Sequence, residues 1–468
     1  MEYDSTGVVI VGAGPAGLFA AEELVNRGIP AKSITIVEAG KRMANRHCPA
    51  TKECNCPRCD ILEGEGGSGG FSDGKNTYSL TRGTQMEQIF DPSYEGLLKD
   101  IDNIIVKHGR VGKAFEPLTE VPEKFVGSRF RFDSYSLRHI GSDGIQEFIV
   151  NYTAHLRKLG VRILANVSVK NLLWHRDGKR GVWGVNTVRF PSGDQMSIKA
   201  ACVVLATGLQ GIPWLEFELA RQGGLKMERG PAGIGIRVEV PYESLSYLFD
   251  KFYDFKLVYE HKGLTFRSFC CNQQGYITNE NHRTLGVRNV NGHSYLVEKR
   301  SQMSNFAIIC KVGLDDNPDP QMHVRDIARS INFLPKDKGQ TVAQRLSDFL
   351  LGIPTASTSE VPYRTNLQSR IDVNIGDAMP KKLYDGFAGF LKDLSKIVAI
   401  PLDKTWIYAP EVKYFGLKLP VDFKSWRCEG IDDLYIIGNA SGYLDSFVSA
   451  ALTGMIAAKD ISERYTKI

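Results

Sequence analysis

An unbroken apolar run, VVIV at positions 8–11, stops at Gly12-Ala13-Gly14-Pro15-Ala16-Gly17. A short apolar run bounded by glycine predicts a buried strand. LFAAEELVNRG follows with helical periodicity and a glycine stop at Gly28, and SITIVEAG reads as a second strand ending at Glu38. GIQEFIVNYTAHLRKLG repeats the helical spacing, VRILANVSVKNLLW from 161 to 174 is extended, and AACVVLATG ends a further strand at Ala206-Thr207-Gly208. The chain closes on DDLYIIGNASGYLDSFVSAALTGMIAAKDI, a strand, a glycine and a helix.

The middle of the chain is patterned differently. IGIRVEVP and FRSFCCNQQGYIT alternate like strands. VNGHSY reads as a hairpin turn at Asn291, Gly292 and His293. From about Thr341 the pattern is mostly helical, in VAQRLSDFLLGI and KLYDGFAGFLKDLSKIV. These signals predict an α/β fold. A Rossmann-like dinucleotide-binding domain occupies segments 1–82, 129–212 and 426–468, with a cap or lid at 83–128 and an inserted mixed α+β substrate domain at 213–425.

The first glycine turn has chemistry built into its spacing. Gly12 permits a tight turn, Gly14 lets a pyrophosphate approach the backbone, and Gly17 lets helix and strand pack closely. Pro15 and Ala16 open the helix, whose free N–H groups and partial positive charge suit phosphates. Glu38 stands where a carboxylate accepts hydrogen bonds from ribose hydroxyls.

Taken in order, GAGPAG, VEAGKR, the ATG strand and the terminal strand–Gly–helix resemble the glutathione-reductase-type FAD proteins. The resemblance implies a GR2-type FAD-binding domain. It places Ala39 and Arg42 of VEAGKR beside the nucleotide and the backbone of Val169 against the adenine. It puts Gly438, Phe447 and Val448 at the flavin. Where the family has Gly-Asp, with the Asp on the ribitol, this chain has Gly438-Asn439, and Asn439 can still donate and accept hydrogen bonds. The helix after it would aim its N-terminus at the pyrimidine edge and favour the anionic reduced flavin.

A closer resemblance is to a family of bacterial and archaeal FAD-dependent dehydrogenases without a single assigned substrate. It rests on CP…C.C..C followed by GEGGSGGFSDGK, then RHIGSDGIQEFI, GIGIRVEVP, RSFCCNQQGYI and VNGHSY, in order over most of the chain. It implies FAD and redox chemistry. It also places the glycine run Gly64, Gly66, Gly67, Gly69, Gly70 and Gly74 over the pyrophosphate and the flavin face, where Ser68 and Ser72 could bond phosphate or ribitol. So many glycines suit a backbone passing close to a bulky ligand.

The cysteines inside this loop leave three readings open. Cys54–Cys59 and Cys56–Cys59 have dithiol spacings, but no second GxGxxG for NAD(P)H lies between Gly208 and Gly438, and the terminal His-Glu-Pro motif of the disulfide reductases is missing. Cys48, Cys54, Cys56 and Cys59 supply four thiolates, enough for zinc or, behind it, an iron–sulfur cluster, though they are spaced more tightly than a zinc ribbon. The third reading is reduced thiols packed beside the cofactor. Cys202 and Cys310 lie in apolar runs and read as buried thiols.

Composition adds mainly exclusions. The 468 residues, 43% hydrophobic and 24% charged, are enough for two domains with ordinary cores and no disulfide framework. A net charge of +5 without long runs gives no support for a nucleic-acid or membrane-surface role. No apolar run of about 18 residues appears, and a first strand starting at Gly7 leaves no room for a signal peptide, so a cytoplasmic protein is expected.

Four residues are candidates for chemistry on the flavin. Lys75 ends the glycine loop and could reach the flavin edge; the alternative is a solvated lysine. His139 in RHIGSD could donate a proton near neutral pH or be structural. Arg237 in GIRVEV and Arg267 in FRSFCC could clamp a carboxylate or phosphate, with Arg237 alternatively paired to Glu239. Vicinal Cys270 and Cys271 read as buried rather than reactive. The leading expectation is an FAD-dependent oxidoreductase acting on a small organic substrate, fed directly, by transient NAD(P)H or by a redox partner protein. A flavin monooxygenase and a non-catalytic electron-transfer or sensing flavoprotein are the alternatives.

Overall fold

The computed structural model describes residues 3–48, 58–80, 89–118, 120–175, 180–221, 225–282, 285–295, 300–313, 319–334, 340–356, 367, 372–414 and 416–465. Tyr3–Val11 forms the interior of the first sheet. Residues 8–11 pair in parallel with 34–37 on one side and 202–205 on the other. Both faces of the strand are covered, which is why its sequence is continuously apolar rather than alternating. Arg162–Leu164 extends one edge beyond Ile34–Val37, and Leu434–Ile436 extends the other beyond the C-terminal half of Gln195–Leu205, all in parallel. The N-terminal half of Gln195–Leu205 leaves this arrangement. It pairs antiparallel with Val182–Arg189, which pairs antiparallel with Val167–Trp174.

The helices Pro15–Asn26 and Phe447–Arg464 pack on each other beside this sheet. Their closest point is Gly454, where a Cβ would sit 2.2 Å from the Ala16 carbonyl oxygen. Helices Glu95–His108 and Gly141–Leu159 complete the layer. Leu98, Ile101 and Ile105 of the expected cap are buried in the same core, as are Leu417, Leu419, Val421 and Trp426. These described residues of the expected cap and of 417–426 thus pack into the first core.

The second sheet is antiparallel throughout, in the order 342–345, 406–414, 232–241, 303–312, 264–272, 256–261 and 130–133. Its last strand comes from the 129–212 segment, so the chain crosses between domains once more than the pattern indicates. Helices Pro320–Asn332 and Lys381–Ile397 cover one face, burying Ile234, Ile236, Ile308 and Phe266. Two readings are corrected here. Val342–Arg345 is a strand, because pairing with Trp406–Tyr414 satisfies its backbone, and the helix starts only at Leu346. Asn291, Gly292 and His293 are not a turn. They lie in a strand pairing with Tyr276–His282, whose register closes at His282 and Val287. Among the described residues no helix is long and apolar enough to cross a membrane. The chain is an α/β protein with a Rossmann-like parallel sheet and an inserted mixed α+β domain.

Candidate functional site

The glycine turn is shaped by backbone approach. Gly12 has φ +110°, and a Cβ there would lie 2.3 Å from the Ala206 carbonyl oxygen. A Cβ on Gly17 would lie 2.1 Å from the Gly12 carbonyl oxygen. At Gly14 the nearest atom to a Cβ is the Gly67 Cα at 3.9 Å, so its glycine leaves open room above the helix N-terminus. Pro15 is the first helical residue and Ala16 is buried. Glu38 is buried, and its two carboxylate oxygens accept from the N–H of Ala13 and of Gly40, each at 2.8 Å. That fixes the carboxylate while each oxygen keeps a lone pair for a hydroxyl. Ala206 is buried, Gly208 has φ +60°, and the Thr207 hydroxyl is buried without a hydrogen-bond partner. An orphaned hydroxyl next to the Gly12 turn is what a cradle for a polar ligand offers.

The glycine-rich loop closes over this turn. Gly66 donates to the Ala13 carbonyl at 2.7 Å, and Gly67, at φ +57°, approaches Gly14. A Cβ on Gly69 would meet the Phe447 ring at 2.8 Å. Phe447 and buried Val448 start the last helix, which Ser446 caps from Ser449. Gly438 has φ +62°, faces Ala16 and opens a 3-10 turn in which Asn439 is the second residue. Three separate segments thus converge on one cleft. Ser72 is committed locally, donating to Gly69 O at 2.7 Å, while Ser68 is exposed. Val169 is half-buried on its strand.

Sequence reasoning missed the residue that holds the loop. Arg46 is buried and donates to the carbonyls of Asp60, Ile61 and Glu65 at 2.8, 3.0 and 2.5 Å. Its guanidinium lies 4.6 Å from the Phe71 ring. Burial lowers it to about 10, against the charges of Glu38 and Asp60. Arg46→Lys keeps the charge but not the fork, so about 1–2 kcal/mol of stability should be lost in urea denaturation. Arg58 anchors the same loop through Ala39 O and Ser168 Oγ, at 2.8 and 2.6 Å. Cys48 is exposed and Cys59 buried beside Ile61, Leu62 and Phe71, its thiol pushed up by burial. Cys54 and Cys56 lie outside the described residues. Cys202 and Cys310 are fully buried. Exposed Arg42 borders a cavity of about 390 Å³ that also takes in Asn45, Asn166 and Arg189.

Of the expected catalytic residues, Lys75 and Arg237 fall into one buried polar network, His139 lies beside it, and Arg267 stands apart. Lys75 is not a solvated lysine. Its Nζ donates to Cys271 O at 2.7 Å and lies 3.2 Å from Asp73 and 3.5 Å from Asp254. Burial would lower it, but Asp254 and Asp73 hold it well above the usual lysine range. Burial opposes ionisation of Asp254 too, yet Lys256 and Lys75 carry it below the carboxylate range. Asn272 donates to Asp73 at 2.7 Å and accepts from Arg237 at 3.0 Å, which joins the two cations into one network. Cys271 is buried, and Cys270 sits at φ +49°.

Arg237 is fully buried in a two-pronged pair with Glu411, at 2.7 and 2.5 Å, and donates to Asn305 and to Cys270 O. The expected partner Glu239 is elsewhere, accepting from Tyr408 at 3.0 Å. His139 pairs across strands with Lys75 and contacts Tyr253 at 2.8 Å and Ser294 at 3.1 Å. Burial and then the Lys75 charge lower it to about 3. Arg267 is half-buried on the sheet, 6.0 Å from the Phe269 ring.

Glu239 gives a pH dependence. Burial lifts its carboxyl from 4.5 to about 7. Between these values the folded protein holds a proton that the unfolded chain has released, so this contribution is lost as pH rises through the window. Glu239→Gln should therefore gain about 2 kcal/mol on the wild type between pH 4.5 and 7.5, after allowance for partial water access. Paired urea titrations at the two pH values measure this. A constant difference would refute it.

No family model matches the chain. A Clostridium beijerinckii protein described as uncharacterized is 24% identical over 483 residues, spanning 98% of this chain and 81% of its own length. Among solved structures, a geranylgeranyl bacteriochlorophyll reductase-like protein of Thermoplasma acidophilum is similar at TM-score 0.42 and 12% identity, over 99% of this chain and 80% of that one. A flavoprotein/dehydrogenase of Cytophaga hutchinsonii gives the same values. The glycerol-3-phosphate dehydrogenase of Bacillus halodurans, solved with FAD, gives 0.44 and 10%, over 99% and 65%. At such low similarity the functional reading rests on the residues of this chain.

Proposed function

We propose that the chain is an FAD-dependent oxidoreductase that moves hydride between an anionic organic substrate and the flavin. The observation that carries this is the convergence of the Gly12–Gly17 turn, the Gly64–Gly74 loop and the N-terminus of the last helix on one cleft. Gly14 and the first-turn N–H groups would take the pyrophosphate, Glu38 the adenosine ribose, and the cavity at Arg42 and Asn166 the adenine end. Bound FAD supplies hydride transfer at N5. Lys75 and Lys256 with Asp73 and Asp254 form a fixed, charge-balanced polar wall, suited to orienting groups rather than shuttling protons.

The face of the second sheet opposite helices Pro320–Asn332 and Lys381–Ile397 supplies the substrate argument, with Lys311 exposed and Arg267 and Lys413 half-buried. Directly paired residues share a face in an antiparallel sheet. Lys413, Gly233 and Lys311 form one row, and Glu411, Gly235, Ile309 and Arg267 the next. Lys413 also pairs with Asp445, just before the last helix, at 2.5 Å, which ties this cationic face to the cleft. Such a face recognises a carboxylate or phosphate. Arg267→Gln is expected to raise the KM for anionic substrates about tenfold, with an unchanged flavin spectrum. Equal loss on neutral and anionic substrates would argue against the assignment. The primary test is the visible spectrum of purified protein and its bleaching under anaerobic photoreduction. A colourless protein that does not take up added FAD refutes the proposal.

A further inference from the structure

Away from the cleft, three helices of the first domain bring Glu22, His108 and His155 together. Glu22 lies on Pro15–Asn26, His108 ends Glu95–His108, and His155 lies on Gly141–Leu159. One ligand-type atom from each lies within 4.8 Å of the other two. The Glu22 side chain is 95% or so removed from solvent (relative exposure 5%), and the His155 Nε2 stands 3.4 Å from its Oε1. Two atoms in this cluster lack a hydrogen-bond partner of good geometry, although the Tyr152 hydroxyl lies near the Glu22 carboxylate. Glu22 Oε2 and His108 Nε2 are both buried and have no hydrogen-bond partner. Buried polar atoms are nearly always satisfied, and an orphaned pair facing one point is the expected sign of a missing ion or water. The imidazoles of His108 and His155 lie close, with ring centroids 4.6 Å apart. His108 and His155 are each half-buried.

We propose that Glu22, His108 and His155 form a binding site for a divalent transition metal, zinc by preference. Two imidazoles and one carboxylate are a recognised zinc donor set, with a fourth position left for water. Tetrahedral bonds of about 2.0–2.1 Å put ligand atoms about 3.3 Å apart, so the cluster closes by movement of side-chain tips alone. The buried Tyr152 hydroxyl, whose ring is 5.4 Å from that of His108, borders the site. No residue of the nucleotide cradle takes part. The ion would act as a clasp, tying the helix that begins at the Gly12–Gly17 turn to the two helices outside it.

The test uses the full chain, stripped with a chelator and titrated with Zn²⁺, and with Co²⁺ as a coloured probe. One equivalent should bind with a tetrahedral cobalt d–d spectrum that lacks sulfur-to-metal charge transfer, which separates this site from the cysteine loop. Zn²⁺ should raise the melting temperature of the wild type. Glu22→Gln and His108→Ala should each abolish the sulfur-free cobalt spectrum and the thermal shift. A metal-free circular dichroism spectrum like that of the wild type confirms that each variant folds, and His155→Gln serves as a third arm if either does not. No sulfur-free cobalt species in the wild type, or an undiminished one in the folded variants, overturns the proposal.

Discussion

Arg237→Met is expected to destabilise the second domain by about 3–5 kcal/mol. Among the described residues Arg237 is the largest charged side chain with no solvent exposure, and its guanidinium serves Glu411, Asn272, Asn305 and Cys270 O at once. Removing it leaves the Glu411 carboxylate buried without a countercharge, which is costlier than losing the attraction itself. The partner must then take up a proton or admit water. The double variant Arg237→Met with Glu411→Leu should recover much of the loss, because no uncompensated charge remains. Urea denaturation followed by tryptophan fluorescence, with Trp406 reporting on the second sheet, measures both. A single-variant cost under about 1 kcal/mol would mean that the pair is not desolvated as the structure has it.

Gly17→Ala and Gly14→Ala should separate fold from ligand. A Cβ on Gly17 would sit 2.1 Å from the Gly12 carbonyl oxygen, a backbone atom held by the sheet. The helix must move off the strand, at about 3 kcal/mol, the upper end for overpacking. Flavin should be lost with it. A Cβ on Gly14 has its nearest neighbour at 3.9 Å and the residue has φ −75°, so the fold tolerates it. The methyl group instead occupies the space meant for the pyrophosphate. Gly14→Ala should therefore keep the wild-type melting temperature of the apoprotein and bind FAD at least about tenfold more weakly. If Gly14→Ala binds FAD normally, the phosphate does not lie on this turn.

Some of this site was legible residue by residue. Gly12, Gly17 and Glu38 occupy local positions in a strand–turn–helix–strand unit, where spacing along the chain nearly determines spacing in space. Arg46 and Asp254 left no such mark. Arg46 serves carbonyls of residues 60, 61 and 65, and an arginine donor to distant backbone has no periodic signature. The strand at Val342–Arg345 is hidden in the sequence because its apolar spacing suits a helix equally well, and only the edge of Trp406–Tyr414 decides between them. The same holds for Asn291–His293, where an Asn-Gly pair suggests a turn until Tyr276–His282 lies alongside.

By itself, the sequence determined the Rossmann-like turn, the order of the elements and the presence of a second, differently patterned region. Those depend on hydrophobic period and on glycine, which act over a few residues. Tertiary structure alone decided that Arg237 faces Glu411 rather than Glu239, that burial beside Lys75 lowers the His139 imidazole to about 3, and that Glu22, His108 and His155 share one point. Each depends on partners far apart in the chain, whose desolvation and approach exist only once the helices and sheets have packed.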